Sequence, residues 1–168
     1  FVMFGPQVFL RLFVRINQDL WPWQLLAVVA AIGIPVLLLR QGDAARRLAL
    51  GLVAVAWETS GYGFLVGYFS PINWPATWFG WAFVAQGALL GAALFCGGVH
   101  KGRLPVRQFV VLWLVAVCGL PFLAVADSGQ WQSVALFGIA PGTTAAAGAL
   151  VIALVTGPWR WLYLPLLV

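Results

Sequence analysis

The sequence predicts an all-α fold, a polytopic bundle of transmembrane helices, on three observations. Hydrophobic residues make up 63% of the chain and charged residues only 8%, where a soluble domain would carry about a quarter charged residues. The apolar runs are long and continuous, without the two-residue alternation of barrel strands. The basic residues sit in short loops between those runs, as topology signals do. This composition excludes a soluble globular domain. The net charge of +5 is dispersed among apolar segments rather than gathered on one surface, so nucleic acid is not an expected partner. A single helical membrane domain is expected over residues 1–168, with the lipid bilayer as its surroundings.

From Gln7 to Gln18 the apolar positions Val8, Phe9, Leu12, Phe13 and Ile16 oppose Arg11, Arg15 and Gln18. That spacing predicts an N-terminal amphipathic helix, either lying at the interface or forming the leading turn of the first span. Trp21-Pro22-Trp23 marks an interface. The first membrane helix is expected at about 22–39, bent near Gly33 and Pro35 because proline removes a backbone hydrogen bond. After the basic loop Arg40–Arg47 the second, about 48–69, carries Glu58. The uncharged, proline-bracketed turn Ser70–Ala76 leads to the third, about 77–99, which carries Gln86. The loop His100–Arg107 precedes the fourth, about 108–126, interrupted at Pro121. The fifth, about 134–156, is broken at Ala140-Pro141-Gly142-Thr143-Thr144.

Pro158-Trp159-Arg160-Trp161 opens a sixth helix, 159–168, too short for a bilayer that needs ~20 residues. Five full spans plus an incomplete sixth are thus expected, in a chain that is an internal portion of a longer polypeptide. Every basic residue except Arg11 and Arg15 lies in alternate loops, which must share one side. The positive-inside rule puts loops 40–47 and 100–107 in the cytoplasm and the N-terminus outside.

Three patches resemble a family of small multi-pass bacterial inner-membrane proteins known only as a domain of unknown function. They are Asn17-Gln18-Asp19-Leu20-Trp21-Pro22-Trp23-Gln24, then Ile72-Asn73 through Phe79-Gly80, Phe83-Val84 and Gln86-Gly87, and finally Phe137-Gly138-Ile139-Ala140-Pro141. The resemblance implies a helical membrane fold and a bacterial inner-membrane location, but no activity. In that family a Cys often follows the proline matching Pro141, in a Pro-Cys-Pro setting; here Gly142 and Thr143 follow it, which puts soft-metal transport in doubt.

Glu58 lies eleven residues from Arg47, about 16 Å along a helix and close to the middle of a ~30 Å hydrocarbon core. An ionisable group at that depth is a functional candidate. Gln86 falls at similar depth on the next helix, and a protonated Glu58 could hydrogen-bond to it, or to Thr59 and Ser60. Glu58 then serves either a proton or cation relay, or a neutral interhelical contact worth ~1 kcal/mol. Pro141-Gly142-Thr143-Thr144 is either a broken-helix solute site or a kink whose backbone the threonine hydroxyls satisfy. Gly63-x-x-x-Gly67 and Gly87-x-x-x-Gly91 are candidate helix-packing faces.

Six of the ten tryptophans fall at expected interfaces, which an aromatic belt explains. Cys96 and Cys118 lie at different depths and His100 is the single histidine, so no disulfide, metal site or cofactor is expected. No Ser/His/Asp set, paired carboxylates or phosphate loop points to catalysis. Two functions follow as expectations. One is a non-catalytic accessory or assembly subunit, docking on partner membrane subunits or on copies of itself. The alternative is a small carrier or channel for a proton, cation or small solute, using Glu58.

Overall fold

The opposed Phe and Arg positions of the first segment fold as helix α1 (Pro6–Asp19), with Phe13 and Ile16 buried and Arg11 and Arg15 exposed. A computed structural model of the chain describes residues 6–40, 42–95, 100–101 and 105–156. Helix α2 (Gln24–Leu39) follows with Pro35 inside it, and the axes of Leu10–Asp19 and Gln24–Leu39 diverge by 102°. Helix α3 (Asp43–Phe69) starts with Asp43 in its first turn, paired to Arg46 at 2.6 Å. From Thr59 to Phe69 it widens to π winding, with Ser70 N–H reaching the Leu65 carbonyl at 2.8 Å. Helices α4 (Ala76–Phe95), α5 (Arg107–Ser128) and α6 (Pro141–Leu154) complete the helical framework of the described residues.

Three of these helices, α3, α4 and α5, are long and apolar enough to cross a membrane, and counting the bent pair α1–α2 as one span makes four. Five full spans are therefore not found among the described residues. At 14 residues, α6 rises only about 21 Å, because the chain ahead of it is not helical. Gly129 (φ 69°) closes α5 in the left-handed region, its N–H on the Val125 carbonyl at 2.8 Å. Gly138 adopts φ 82°, which no helix accepts, and Pro141 occupies the first helical position, where its missing N–H costs nothing. The break thus precedes Pro141 instead of falling across residues 140–144. Pro121 does not interrupt α5: the turn before it, Val115–Gly119, widens to π winding and the helix runs on. The expected sixth helix, Cys96 and most of the second basic loop lie outside the described residues.

Alternate loops share an end of the bundle. Arg47 Nη1 donates to the Leu94 carbonyl at 2.6 Å, tying the start of α3 to the end of α4. His100 and Lys101 pair antiparallel with Thr156 and Val155, beyond the end of α6. At the other end the Tyr68 hydroxyl donates to Asp19 at 2.8 Å.

The core has two parts. Trp57, Phe83, Leu90, Phe109, Trp113, Phe137 and Val151 anchor the larger, and the Trp113 indole N–H donates to the Ala31 carbonyl at 2.9 Å. The smaller joins α1 to the rest through Phe13 stacked on Phe64, centroids 4.7 Å apart, with Ile16, Ala135 and Ile139.

Helices α3 and α4 meet backbone to backbone. A methyl group added at Gly61 would lie 2.7 Å from Phe83 Cβ and 2.8 Å from the Gly80 carbonyl oxygen. One added at Gly80 would lie 2.6 Å from Val66 Cγ2 and 3.0 Å from the Gly61 oxygen. By contrast Gly63 and Gly91 have nothing within 4 Å of that position, so neither Gly-x-x-x-Gly pair acts as a unit in this fold. Gly61→Ala and Gly80→Ala should each destabilise the protein by about 1–3 kcal/mol through overpacking. Gly63→Ala and Gly91→Ala should gain up to about 1 kcal/mol of helix propensity instead. Thermal melts of the four variants in one detergent check this, and equal melting temperatures for the two pairs would refute the backbone contact.

Candidate functional site

The hydroxyl residues picked from two distant segments converge, but on backbone. The Thr59 hydroxyl donates to the Gly138 carbonyl at 2.6 Å and the Ser60 hydroxyl to the Ile139 carbonyl at 3.1 Å. From the other side, Thr143 Oγ1 donates to the Ala135 carbonyl at 2.8 Å. Thr144 Oγ1 accepts the Gly138 N–H at 2.9 Å and donates to the Ala140 carbonyl at 2.8 Å. Residues 135–140, of which 135 and 137–140 are buried, are thereby held by four side chains from α3 and α6. Helix α1 supplies a fifth: Asn17 Nδ2 donates to the Gln132 and Val134 carbonyls at 2.7 and 2.9 Å. Unpaired amide groups in an apolar interior cost several kcal/mol each, so this bonding is what lets irregular chain run through the bundle.

In the structure both the Thr143 and the Thr144 hydroxyls are bonded to backbone. Their hydroxyls are spent before any solute arrives. The same holds for Thr59 and Ser60, which do not bond to Glu58.

The expected contact between Glu58 and Gln86 is not formed. Glu58 rests on the next residue, Gly87, where an added methyl would lie 2.7 Å from its Oε1 and 3.0 Å from the Ala54 carbonyl oxygen. Gly87 is thus a packing glycine, with a carboxyl as its partner in place of a second chain. The Gln86 side chain is 0% exposed, and neither its Oε1 nor its Nε2 has a hydrogen-bond partner. Trp57 is equally buried with an unpartnered Nε1, its ring 4.4 Å from that of Phe83 and packed on Gly148. Phe83 lies one turn before Gln86 on α4, so an unpaired indole N–H, an unpaired amide and a half-buried carboxyl occupy neighbouring positions of the α3–α4 contact.

Sequence reasoning missed Asn17, Gly61, Gly80, Gly138 and Gly148. A signal existed for one group. Ala54 and Gly61, and Gly80 and Gly87, are each seven residues apart, which repeats on one helix face.

The chain matches a family of unknown function, DUF6064, over residues 6–167. It belongs to that family. No curated protein and no solved structure matches the chain. The DUF6064 match takes in the whole bundle from α1 to α6, and with it every residue that holds the irregular segment.

Thr59→Val and Thr144→Val each strand a buried backbone group at Gly138, and each should cost about 1–3 kcal/mol. Gln86→Leu removes an unpaired amide at similar volume and should raise the melting temperature. Thermal unfolding in detergent measures all three; a Thr144→Val variant as stable as the parent would contradict the bonding described.

Proposed function

We propose that this DUF6064 protein is a non-catalytic integral membrane protein of the bacterial inner membrane, an accessory or assembly subunit of a larger membrane complex. The observation that carries this reading is the fate of the candidate hydroxyls. Thr59, Ser60, Thr143 and Thr144 are engaged with the backbone of residues 135–140, which leaves them no role toward a solute. The outward surface supports docking. Helix α4 and the turn before it expose Trp74, Trp78, Phe79 and Trp81, with Tyr62 edge-on to Trp81 at 6.3 Å. Gly63 and Gly91 offer open positions where a partner helix could approach. The two ends of the bundle suit an orientation with the basic loops 40–47 and 100–107 in the cytoplasm and the N-terminus outside.

A second reading, a small carrier or channel for a proton, cation or small solute, is favoured by one observation: the unpaired Gln86 amide next to the Glu58–Gly87 contact. Purification in mild detergent separates the two. A subunit should co-purify with partner chains in fixed stoichiometry, and the isolated protein in liposomes should give no ion or solute flux. Glu58-dependent flux, abolished by Glu58→Gln, would overturn the subunit reading.

A further inference from the structure

The exposed face of α1 and the end of α5 enclose a cleft of about 230 Å³ lined by Leu10, Arg11, Val14, Asp127, Ser128 and Gln130. In a chain with only 8% charged residues, it sets a guanidinium and a carboxylate from two different helices into one space. Neither is spent on the fold. The ion pairs of the described residues are Arg15 with Asp19 and Arg46 with Asp43. Arg11 and Asp127 bond to none of the described residues. The Ser128 hydroxyl is already engaged, accepting the Gln130 N–H at 3.1 Å and touching the Ser133 hydroxyl. Leu10 and Val14, one turn apart and half-buried, form an apolar wall beside the charges. The cleft opens at the end of the bundle where Trp131 is exposed, and tryptophan favours the headgroup level of a membrane.

We propose that this cleft binds the headgroup of a zwitterionic phospholipid bearing a primary ammonium. Arg11 takes the phosphate through its forked N–H donors. Asp127 accepts from the ammonium, and the acyl chains leave along Leu10 and Val14. The volume lies below the ~300–1,000 Å³ of drug-sized pockets, which fits a headgroup whose tails stay outside. The same pair of charges suits a soluble amino-acid-like zwitterion; the apolar wall assigns the site to the lipid.

The test uses the full chain, delipidated in mild detergent and incubated with phosphatidylethanolamine, phosphatidylglycerol or phosphatidylcholine, with retained lipid read by native mass spectrometry. Phosphatidylethanolamine should be retained about tenfold over the other two, the ratio expected from one extra hydrogen bond to a charged group. Phosphatidylglycerol lacks the ammonium and phosphatidylcholine lacks its N–H donors. Arg11→Gln should lower retention of all three lipids, with Arg11→Lys restoring part of it. Asp127→Asn should erase the preference while leaving the lipid-free melting temperature unchanged. Equal retention of the three lipids by the parent protein, or a preference that survives Asp127→Asn, overturns the proposal. Complete displacement of phosphatidylethanolamine by excess soluble phosphoethanolamine would overturn the lipid assignment in favour of a soluble zwitterion.

Discussion

The bundle depends on keeping the irregular backbone of residues 134–140 hydrogen-bonded. Helices bond their own amides, so a bundle in an apolar solvent normally asks nothing of its side chains in this respect. Here the chain ahead of α6 is not helical, and the missing bonds come from side chains. Thr59 and Ser60 serve Gly138 and Ile139, Thr143 and Thr144 serve Ala135, Gly138 and Ala140, and Asn17 serves Val134. That requirement accounts for features that otherwise look unrelated. It explains why α1, whose pattern suggests a helix lying on a surface, buries Phe13 and Ile16 against Phe64, Ala135 and Ile139. The helix covers the irregular segment. It also coincides with the change of winding in α3, which begins at Thr59, the first residue to reach that segment.

The polar groups of the interior therefore divide in two. One set, Thr59, Ser60, Thr143, Thr144 and the Asn17 Nδ2, is bonded to backbone and acts as structure. The other, Glu58, Gln86 and the Trp57 indole, is not committed, although Gln86 and Trp57 are completely buried. A buried amide without partners is a standing cost; among the described residues it falls on Gln86 and Trp57 at the close approach of α3 and α4, and on the Asn17 Oδ1 of α1.

The helical class of the fold and the presence of several helices apolar enough to cross a membrane were legible in composition and hydropathy. Those depend on residue type summed over long windows. The irregular segment was legible only in part: Pro141 and the glycines around it marked a break but could not say on which side it lay. The answer rests on Gly138 and on bonds from Thr59 and Ser60, 79 residues away in sequence, and no local pattern records such a pairing. The glycines mislead for a related reason. Gly-x-x-x-Gly is a spacing, and a spacing does not specify which face turns inward. Gly63 and Gly91 match it, yet a methyl added at either would have nothing within 4 Å among the described residues, while Gly61 and Gly80, outside it, carry the contact. Glu58 rests on Gly87, the neighbour of Gln86, and side-chain direction keeps the expected pair apart.

The glycine contact also has a mechanical side. Where two helices touch through backbone, with the Cα of Gly61 and of Gly80 each against the other's carbonyl oxygen, little room is left for a small slide. Displacement of α3 along α4 would then have to come in whole-turn steps, as packed helices ratchet. The crossing thus ties α3 and α4 in one register, which the rest of the bundle packs against.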